Sequence, residues 1–117
     1  MILVVEDDAD IRDSLAAILR AEGYSVSTAE NAEDAFKKVK ASRPDLVLMD
    51  IVMPGQNGFQ ATRTLTKDEE TKNIPVILCT SKGQETDKVW GMRQGARDYV
   101  VKPVNPADLL AKIAALG

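Results

Sequence analysis

Acidic, hydroxyl and basic side chains follow four short apolar runs in this chain, each at the point where the run ends. Glu6 and Asp7 follow the first run, Asp50 ends the second, and Thr80 and Lys102 follow two later runs. Short runs of β-branched and aliphatic residues are typical of buried parallel strands, whose carboxyl ends share one edge of the sheet. We therefore predict that these side chains meet at one edge.

This set of side chains suits phosphoryl transfer. Clustered carboxylates in a chain with no histidine and one cysteine favour a hard cation bound through oxygen, Mg²⁺ above all. An aspartate beside such a cation can attack phosphorus and form an aspartyl phosphate, and Asp50 is the candidate. Thr80 would donate a hydrogen bond to a phosphoryl oxygen and Lys102 would neutralise another, which supplies the positioning and charge stabilisation that the reaction needs.

Each of these residues also has a purely structural interpretation. A strand-end aspartate such as Asp50 can simply accept hydrogen bonds from loop amides, and the acids after the first run can favour a helix N-terminus through its dipole. Thr80 alone can be a strand former, and Lys102 alone a solvated charge. The occurrence of all these residues at successive strand ends favours the chemical interpretation.

Length and composition place the chain among single globular domains. Its 117 residues, 44% apolar and 28% charged, predict one domain spanning 1–117. The net charge of −3 argues against a nucleic-acid-binding surface. The single cysteine, Cys79, lies in a predicted core strand, so no disulfide is expected. Because we find neither a membrane-spanning stretch nor a signal peptide, we expect a cytoplasmic protein without membrane contact.

The apolar pattern predicts that strands and helices alternate along the chain. Strands are predicted over 2–5, 24–28, 46–50, 75–79 and 98–101, the second of them short and at an edge. Helices are predicted around the apolar stripe at 11–19, after the cap Asn31, from Gly58, over 84–94 and from Pro106. Five such βα units predict an α/β fold with a doubly wound, five-stranded parallel sheet.

Four segments of the chain resemble the landmarks of response-regulator receiver domains. They are VVEDD at 4–8, LVLMDIVMPGQNG at 46–58, CTS at 79–81 and YVVKP at 99–103. Their order and spacing make the resemblance specific, and it covers essentially the whole chain. It implies a flavodoxin-like (βα)5 fold with strand order 2-1-3-4-5. Residues 46–104 are in addition similar to chemotaxis-type single-domain regulators of type IV pilus twitching motility.

The resemblance implies a role for each residue near the acidic cluster. Asp50 would be the phosphoacceptor and, together with Asp7, a direct ligand of Mg²⁺. Glu6 would be the second member of the acidic pair, acting through water. Val52 would offer its backbone carbonyl to the metal. Asp8 would cap the first helix rather than complete the metal site.

The remaining landmarks imply a switch and a phosphate contact. Thr80 and Tyr99 resemble the pair of residues that respond to phosphorylation, and Lys102 resembles the phosphate-binding lysine, followed by a cis peptide bond to Pro103. Positions 52 and 82 tune water access in this family. Because the residue at position 52 is an apolar valine, we expect slow self-dephosphorylation.

The resemblance also implies partners on two sides of the reaction. A histidine kinase would donate the phosphoryl group from its phosphohistidine, and the output would be a protein contact through helix 4, strand 5 and helix 5. Trp90, with Arg97 and Tyr99, is the candidate partner face, since tryptophan and arginine are enriched at binding hot spots.

Val89 and Met92, three residues apart, are expected to face the sheet together with Ala96. Three methionines are expected to fill the core: Met49, Met53 and Met92.

Three other functions compete with this interpretation. A haloacid-dehalogenase-like phosphohydrolase also uses a strand-end aspartate, but its Asp-x-Asp pattern would place an acid where Val52 stands. A flavodoxin needs a loop rich in hydroxyls and glycine after the first strand, where this chain has acids. A phosphorylation-independent interaction domain on the same fold remains open at this point.

Overall fold

A computed structural model describes residues 1–51, 53, 55, 57–80 and 85–116, with the backbone alone for residues 80 and 85–88. Strands and helices alternate as the sequence predicts. The elements are β1 (Ile2–Val5), α1 (Ala9–Ala21), β2 (Val26–Ala29), α2 (Ala32–Ser42), β3 (Leu46–Asp50), α3 (Gly58–Lys67), β4 (Val76–Thr80), α4 (Glu85–Arg93), β5 (Asp98–Val101) and α5 (Pro106–Leu116). Among these helices, none is both long enough and apolar enough to cross a membrane.

The five strands form one parallel sheet in the order β2-β1-β3-β4-β5, which confirms the predicted fold class and order. The register aligns the strand ends: Val5 lies beside Met49, and Asp50 beside Cys79. At the far side Thr80 lies beside Val101. Residues that follow β1, β3, β4 and β5 therefore emerge at one edge of the sheet.

The second strand begins later than predicted. It runs from Val26 to Ala29, whereas the alternating pattern predicts 24–28. The end of α1 explains the shift, because the Tyr24 amide still donates to the Leu19 carbonyl and Gly23 adopts a positive φ of 92°. A helix end of this kind uses residues that follow the helix to satisfy its last carbonyls. The chain therefore becomes extended only after Tyr24, at the edge of the sheet where the strand is expected.

Side chains on the two faces of the sheet form two separate apolar cores. Alternate residues of a strand point to opposite faces, so Leu3 and Val5 pack with α2 and α3, while Ile2 and Val4 pack with α1 and α5. Because both faces are covered, the strands are almost entirely apolar. Cys79 is buried in the second of these cores as a free cysteine.

Side-chain caps fix the starts of four helices, among them α5, where Asn105 Oδ1 accepts from the Asp108 amide at 3.1 Å. The Asp8 carboxylate accepts hydrogen bonds from the amides of Asp10 and Ile11, which confirms its predicted role as the cap of α1. Asn31 accepts from the amide of Asp34, as predicted for α2. Asn57, which we did not predict, caps α3 through a reciprocal pair of bonds with Gln60. Each cap satisfies amides that the first turn of a helix leaves without partners.

Helix α4 packs on the sheet through a face that the sequence does not predict. Val89 and Met92 are 45% and 46% exposed, so the expectation that they face the sheet is wrong, as is the core role of Met92. Among residues 89–93 of this helix the buried residue is Gly91, where an added Cβ would lie 2.4 Å from the Leu78 side chain. A glycine carries no apolar side chain, so the contact at Gly91 leaves no apolar signal in the sequence. The other predictions for these residues are confirmed, because Ala96, Met49 and Met53 are all buried.

Candidate phosphoacceptor and metal site

The end of the sheet brings an ammonium group between two buried carboxylates. Glu6 and Asp50 are 1% and 5% exposed, directly after β1 and at the end of β3. Lys102, just after β5, places its Nζ 2.5 Å from Glu6 Oε1 and 2.7 Å from Asp50 Oδ1. Residues that are far apart in the sequence thus form one site, as the strand-end pattern predicts. The Lys102–Pro103 peptide bond is cis, as the resemblance implies.

The carboxylates of Glu6, Asp7 and Asp50 are close enough to share a cation. One oxygen from each lies within 4.8 Å of the other two. Oxygen ligands lie about 2.1 Å from Mg²⁺, so oxygens on opposite sides of the ion are about 4.2 Å apart. Asp7 is exposed, so this side of the cluster opens to solvent. Three carboxylates against one ammonium leave an excess of negative charge, and the donor set therefore fits a magnesium ion.

The charges within the cluster shift one another's proton affinities. Burial raises the pKa of Glu6, and the neighbouring Asp50 carboxylate raises it further, although Lys102 opposes both effects. Burial and the Glu6 carboxylate raise the pKa of Asp7. For Lys102, burial lowers the pKa, but hydrogen bonds to Asp50 and Glu6 more than offset it, and the net shift is upward. The ammonium therefore stays charged at neutral pH and is available to an anionic ligand.

Two residues that position this site were missed by the sequence analysis. Arg12, on α1, donates from Nη1 to the Glu6 backbone carbonyl at 3.0 Å. The Glu6 amide in turn donates to the Ala29 carbonyl at 3.0 Å, so the main chain is held on both sides. Gly58, at the start of α3, donates its amide to the Ile51 carbonyl at 2.8 Å. Arg12 belongs to no recognisable motif. Its place near the start of α1, a few residues after Glu6 and Asp7, is the only feature of the sequence that could have indicated its role.

Several predicted site residues are only partly described. Thr80 is the last residue of β4, on the expected edge, but its side chain lies outside the description. Val52 and Lys82 lie outside the described residues altogether. Tyr99 is half-buried on β5.

Burial raises the pKa of the Cys79 thiol to about 12, so this residue stays a protonated core side chain beside the site.

The predicted partner face is accessible at two of its three positions. Trp90 is 50% exposed on α4, and Arg97 is exposed just before β5. Val89 and Met92 are exposed on the same helix, so it presents two more large apolar side chains to solvent than the sequence predicts. Tyr99 is less accessible but lies on the neighbouring strand.

A parallel five-stranded α/β domain with a carboxylate cluster and a lysine at its carboxyl edge has the architecture of a phosphoacceptor domain. The sequence profile of the response regulator receiver domain matches residues 2–114, and the chain belongs to that family. Receiver domains are signalling phosphoacceptors that take phosphoryl groups from histidine kinases, act on downstream targets and bind Mg²⁺ at an acidic pocket. This match confirms the family that the four sequence landmarks indicate.

Similar proteins agree with this assignment. Protein PilH of Pseudomonas aeruginosa is 56% identical over 115 residues, which cover 98% of this chain and 95% of PilH. The phosphate regulon regulator PhoB of Escherichia coli is 39% identical, and the chain spans 50% of its length. The chemotaxis response regulator CheY4 of Vibrio cholerae has a TM-score of 0.92 at 29% identity, covering 99% of this chain and 97% of CheY4. The NtrX receiver domain of Brucella abortus has a TM-score of 0.91 at 32% identity, covering 98% and 96%.

Proposed function

We propose that residues 1–117 act as one receiver domain in which Asp50 accepts the phosphoryl group of a histidine kinase. The observation that carries this proposal is the placement of the Asp50 carboxylate, 2.7 Å from the Lys102 ammonium and beside the acids Glu6 and Asp7. Of the three carboxylates, Asp50 alone lies within a strand, as the last residue of the central strand β3, and it shares the Lys102 ammonium with Glu6. The signal would then leave through a protein contact.

The chain's own residues divide the work of this reaction. An oxygen of Asp50 forms a bond to phosphorus while the bond from phosphorus to the kinase imidazole breaks, and the histidine leaves with its electron pair. Asp7 and Asp50, with the Val52 carbonyl and Glu6 acting through water, would hold Mg²⁺, which offsets negative charge on the phosphoryl oxygens when bound. Lys102 would exchange a carboxylate partner for a phosphoryl oxygen, and Thr80 would donate a hydrogen bond to another. Slow self-dephosphorylation completes the cycle.

The proposal is tested by offering the protein a small acyl phosphate. With acetyl phosphate and Mg²⁺ we expect one phosphoryl group per chain, removable by hydroxylamine as expected of an acyl phosphate. Chelation of the metal should prevent the uptake. A chain that takes up no label under these conditions would instead be a phosphorylation-independent interaction domain on the same fold.

The metal role of Asp7 can be separated from the stability of the fold. Asp7→Ala should weaken Mg²⁺ binding at least about tenfold, because an oxygen ligand is lost. It should also raise the metal-free melting temperature, because Asp7 adds negative charge beside Glu6 and Asp50. Titration calorimetry and thermal unfolding measure the two effects. Asp13→Ala, at an exposed acid on the adjacent α1 helix, is the control and should change neither; unchanged Mg²⁺ affinity in Asp7→Ala would refute this ligand.

The partner role of Trp90 can be separated from phosphorylation. If Trp90 is a binding hot spot, Trp90→Ala should weaken the partner by more than ~2 kcal/mol while leaving phosphoryl uptake intact, because Trp90 is exposed on α4. Binding of the phosphorylated domain to its purified target is the measurement. Tyr24→Ala, at an exposed aromatic beside the opposite edge strand, serves as the control. If both variants bind equally well, Trp90 has no role in recognition.

A further inference from the structure

The backbone of Tyr99 is held by side chains on both of its polar groups. Its amide donates to the Asp98 carboxylate at 2.8 Å, and its carbonyl accepts from Lys112 Nζ at 2.6 Å. Tyr99 lies on β5, an edge strand with a strand neighbour on one side only. These two side chains thus occupy main-chain groups that another strand would occupy inside a sheet.

Lys112 also contacts the aromatic ring of the same residue. Its ammonium lies 4.9 Å from the ring centroid of Tyr99, within the range in which a cation is attracted to the face of an aromatic ring. One helical turn earlier, Asp108 pairs with the ammonium at 3.4 Å. The Lys112 side chain is 25% exposed, so its contacts are only partly screened by water. One ammonium on α5 therefore fixes both the main chain and the ring of Tyr99.

Lys112 holds Tyr99 in the arrangement in which Lys102 is paired with the carboxylates of the site, and we take this arrangement as the one that precedes phosphorylation. Here Lys102 is bonded to Asp50 Oδ1 and Glu6 Oε1, and a phosphoryl group on Asp50 would take Lys102 from this pairing. A contact made in one of two conformations biases the equilibrium toward that conformation by its own free energy. A movement of the Tyr99 ring away from this place would therefore break its contact with Lys112.

We propose that Lys112 is a positioning residue for Tyr99, which holds the ring in its resting place and sets how readily the domain switches. The inference rests on the proposed function, in which Asp50 is the acceptor, and on the switch role that the family resemblance implies for Tyr99. Asp108 supports Lys112 by pairing with its ammonium. Removal of the ammonium should release the ring and favour the activated conformation.

The test is a titration with beryllofluoride and Mg²⁺, a mimic of the phosphoryl group, followed by the fluorescence of Trp90. Lys112→Met keeps the apolar stem and removes the charge, and it should lower the half-saturating beryllofluoride concentration about threefold. Lys112→Arg keeps a cation over the ring and should restore behaviour close to that of the unchanged protein. Asp108→Asn should give a smaller shift in the direction of Lys112→Met. Lys37→Met, which removes an exposed lysine paired with Glu33 on α2, should give no shift.

A second measurement separates the failure of this inference from failure of the proposed function. The ring proton resonances of Tyr99, measured without phosphoryl mimic, should move in Lys112→Met and not in Lys37→Met. If the unchanged protein does not respond to beryllofluoride, the proposed function is wrong, whatever the ring resonances show. If it responds, but Lys112→Met matches Lys37→Met in both measurements, Lys112 does not position the ring. Should Lys112→Met fail to fold, an absent shift in Asp108→Asn would refute the inference equally.

Discussion

Asp50→Asn should take up no phosphoryl group from acetyl phosphate and Mg²⁺, whereas the unchanged protein should be labelled. The substitution keeps the size of the side chain but replaces a charged nucleophile with a neutral amide. The site should survive the change, because Lys102 keeps Glu6 as a partner at 2.5 Å. Hydroxylamine-labile label per chain is the measured quantity, and we expect it to fall to background.

A control variant tests whether the loss of one negative charge anywhere in the protein would reduce labelling. Asp45→Asn makes the same chemical change immediately before β3, at the end of the strand opposite to Asp50, where the side chain is 87% exposed and pairs with the N-terminus. It should be labelled as fully as the unchanged protein. Label that persists in Asp50→Asn would show that another residue accepts the phosphoryl group, with Asp7 the first to examine because its carboxylate lies in the same cluster.

Gly58→Ala should destabilise the protein and slow its labelling. A Cβ at Gly58 would lie 2.2 Å from the Asp50 carbonyl oxygen and 2.7 Å from Ile51 Cα, which are both main-chain atoms. Either α3 or the strand end that carries Asp50 must move. Overpacking of this kind costs roughly 1–3 kcal/mol, and we expect it to outweigh the ~1 kcal/mol by which alanine is favoured over glycine within a helix.

Denaturant unfolding and the rate of acetyl phosphate labelling measure the two effects of Gly58→Ala. Arg63→Ala, at an exposed position of the same helix, should change neither quantity appreciably. Normal stability in Gly58→Ala would mean that α3 can withdraw from Asp50 at little cost. Normal stability with slow labelling would instead mean that the added Cβ displaces the Asp50 carboxylate without destabilising the fold.

The strand-end residues were predictable because their signal is local and repeated. Each apolar run shows where a strand ends, and parallel strands bring their ends together, so Glu6, Asp50 and Lys102 could be placed at one edge before any distance was known. The capping role of Asp8 was predictable for a similar reason, since a helix cap depends only on the residues that directly follow it.

The errors arise where the decisive contact is not local. The sheet-facing side of α4 is marked by Gly91, whose lack of a side chain allows close approach to Leu78, while apolar periodicity pointed to the exposed Val89 and Met92. Arg12 acts on the Glu6 carbonyl, and hydrogen bonds to main-chain atoms leave no pattern in the partner's residue type. The late start of β2 depends on how α1 ends at Gly23.

The division of the apolar residues between two faces of one sheet has a consequence for how this domain can change over time. Leu78 and Ala96 share one core with residues of α2 and α3, while Leu109 and Ile113 share the other with residues of α1. Substitutions without common neighbours tend to have additive effects on stability. Mutations that remodel the surroundings of α4 can therefore accumulate without penalty to the packing of α1 and α5, so the two sides of the molecule are free to diverge at different rates.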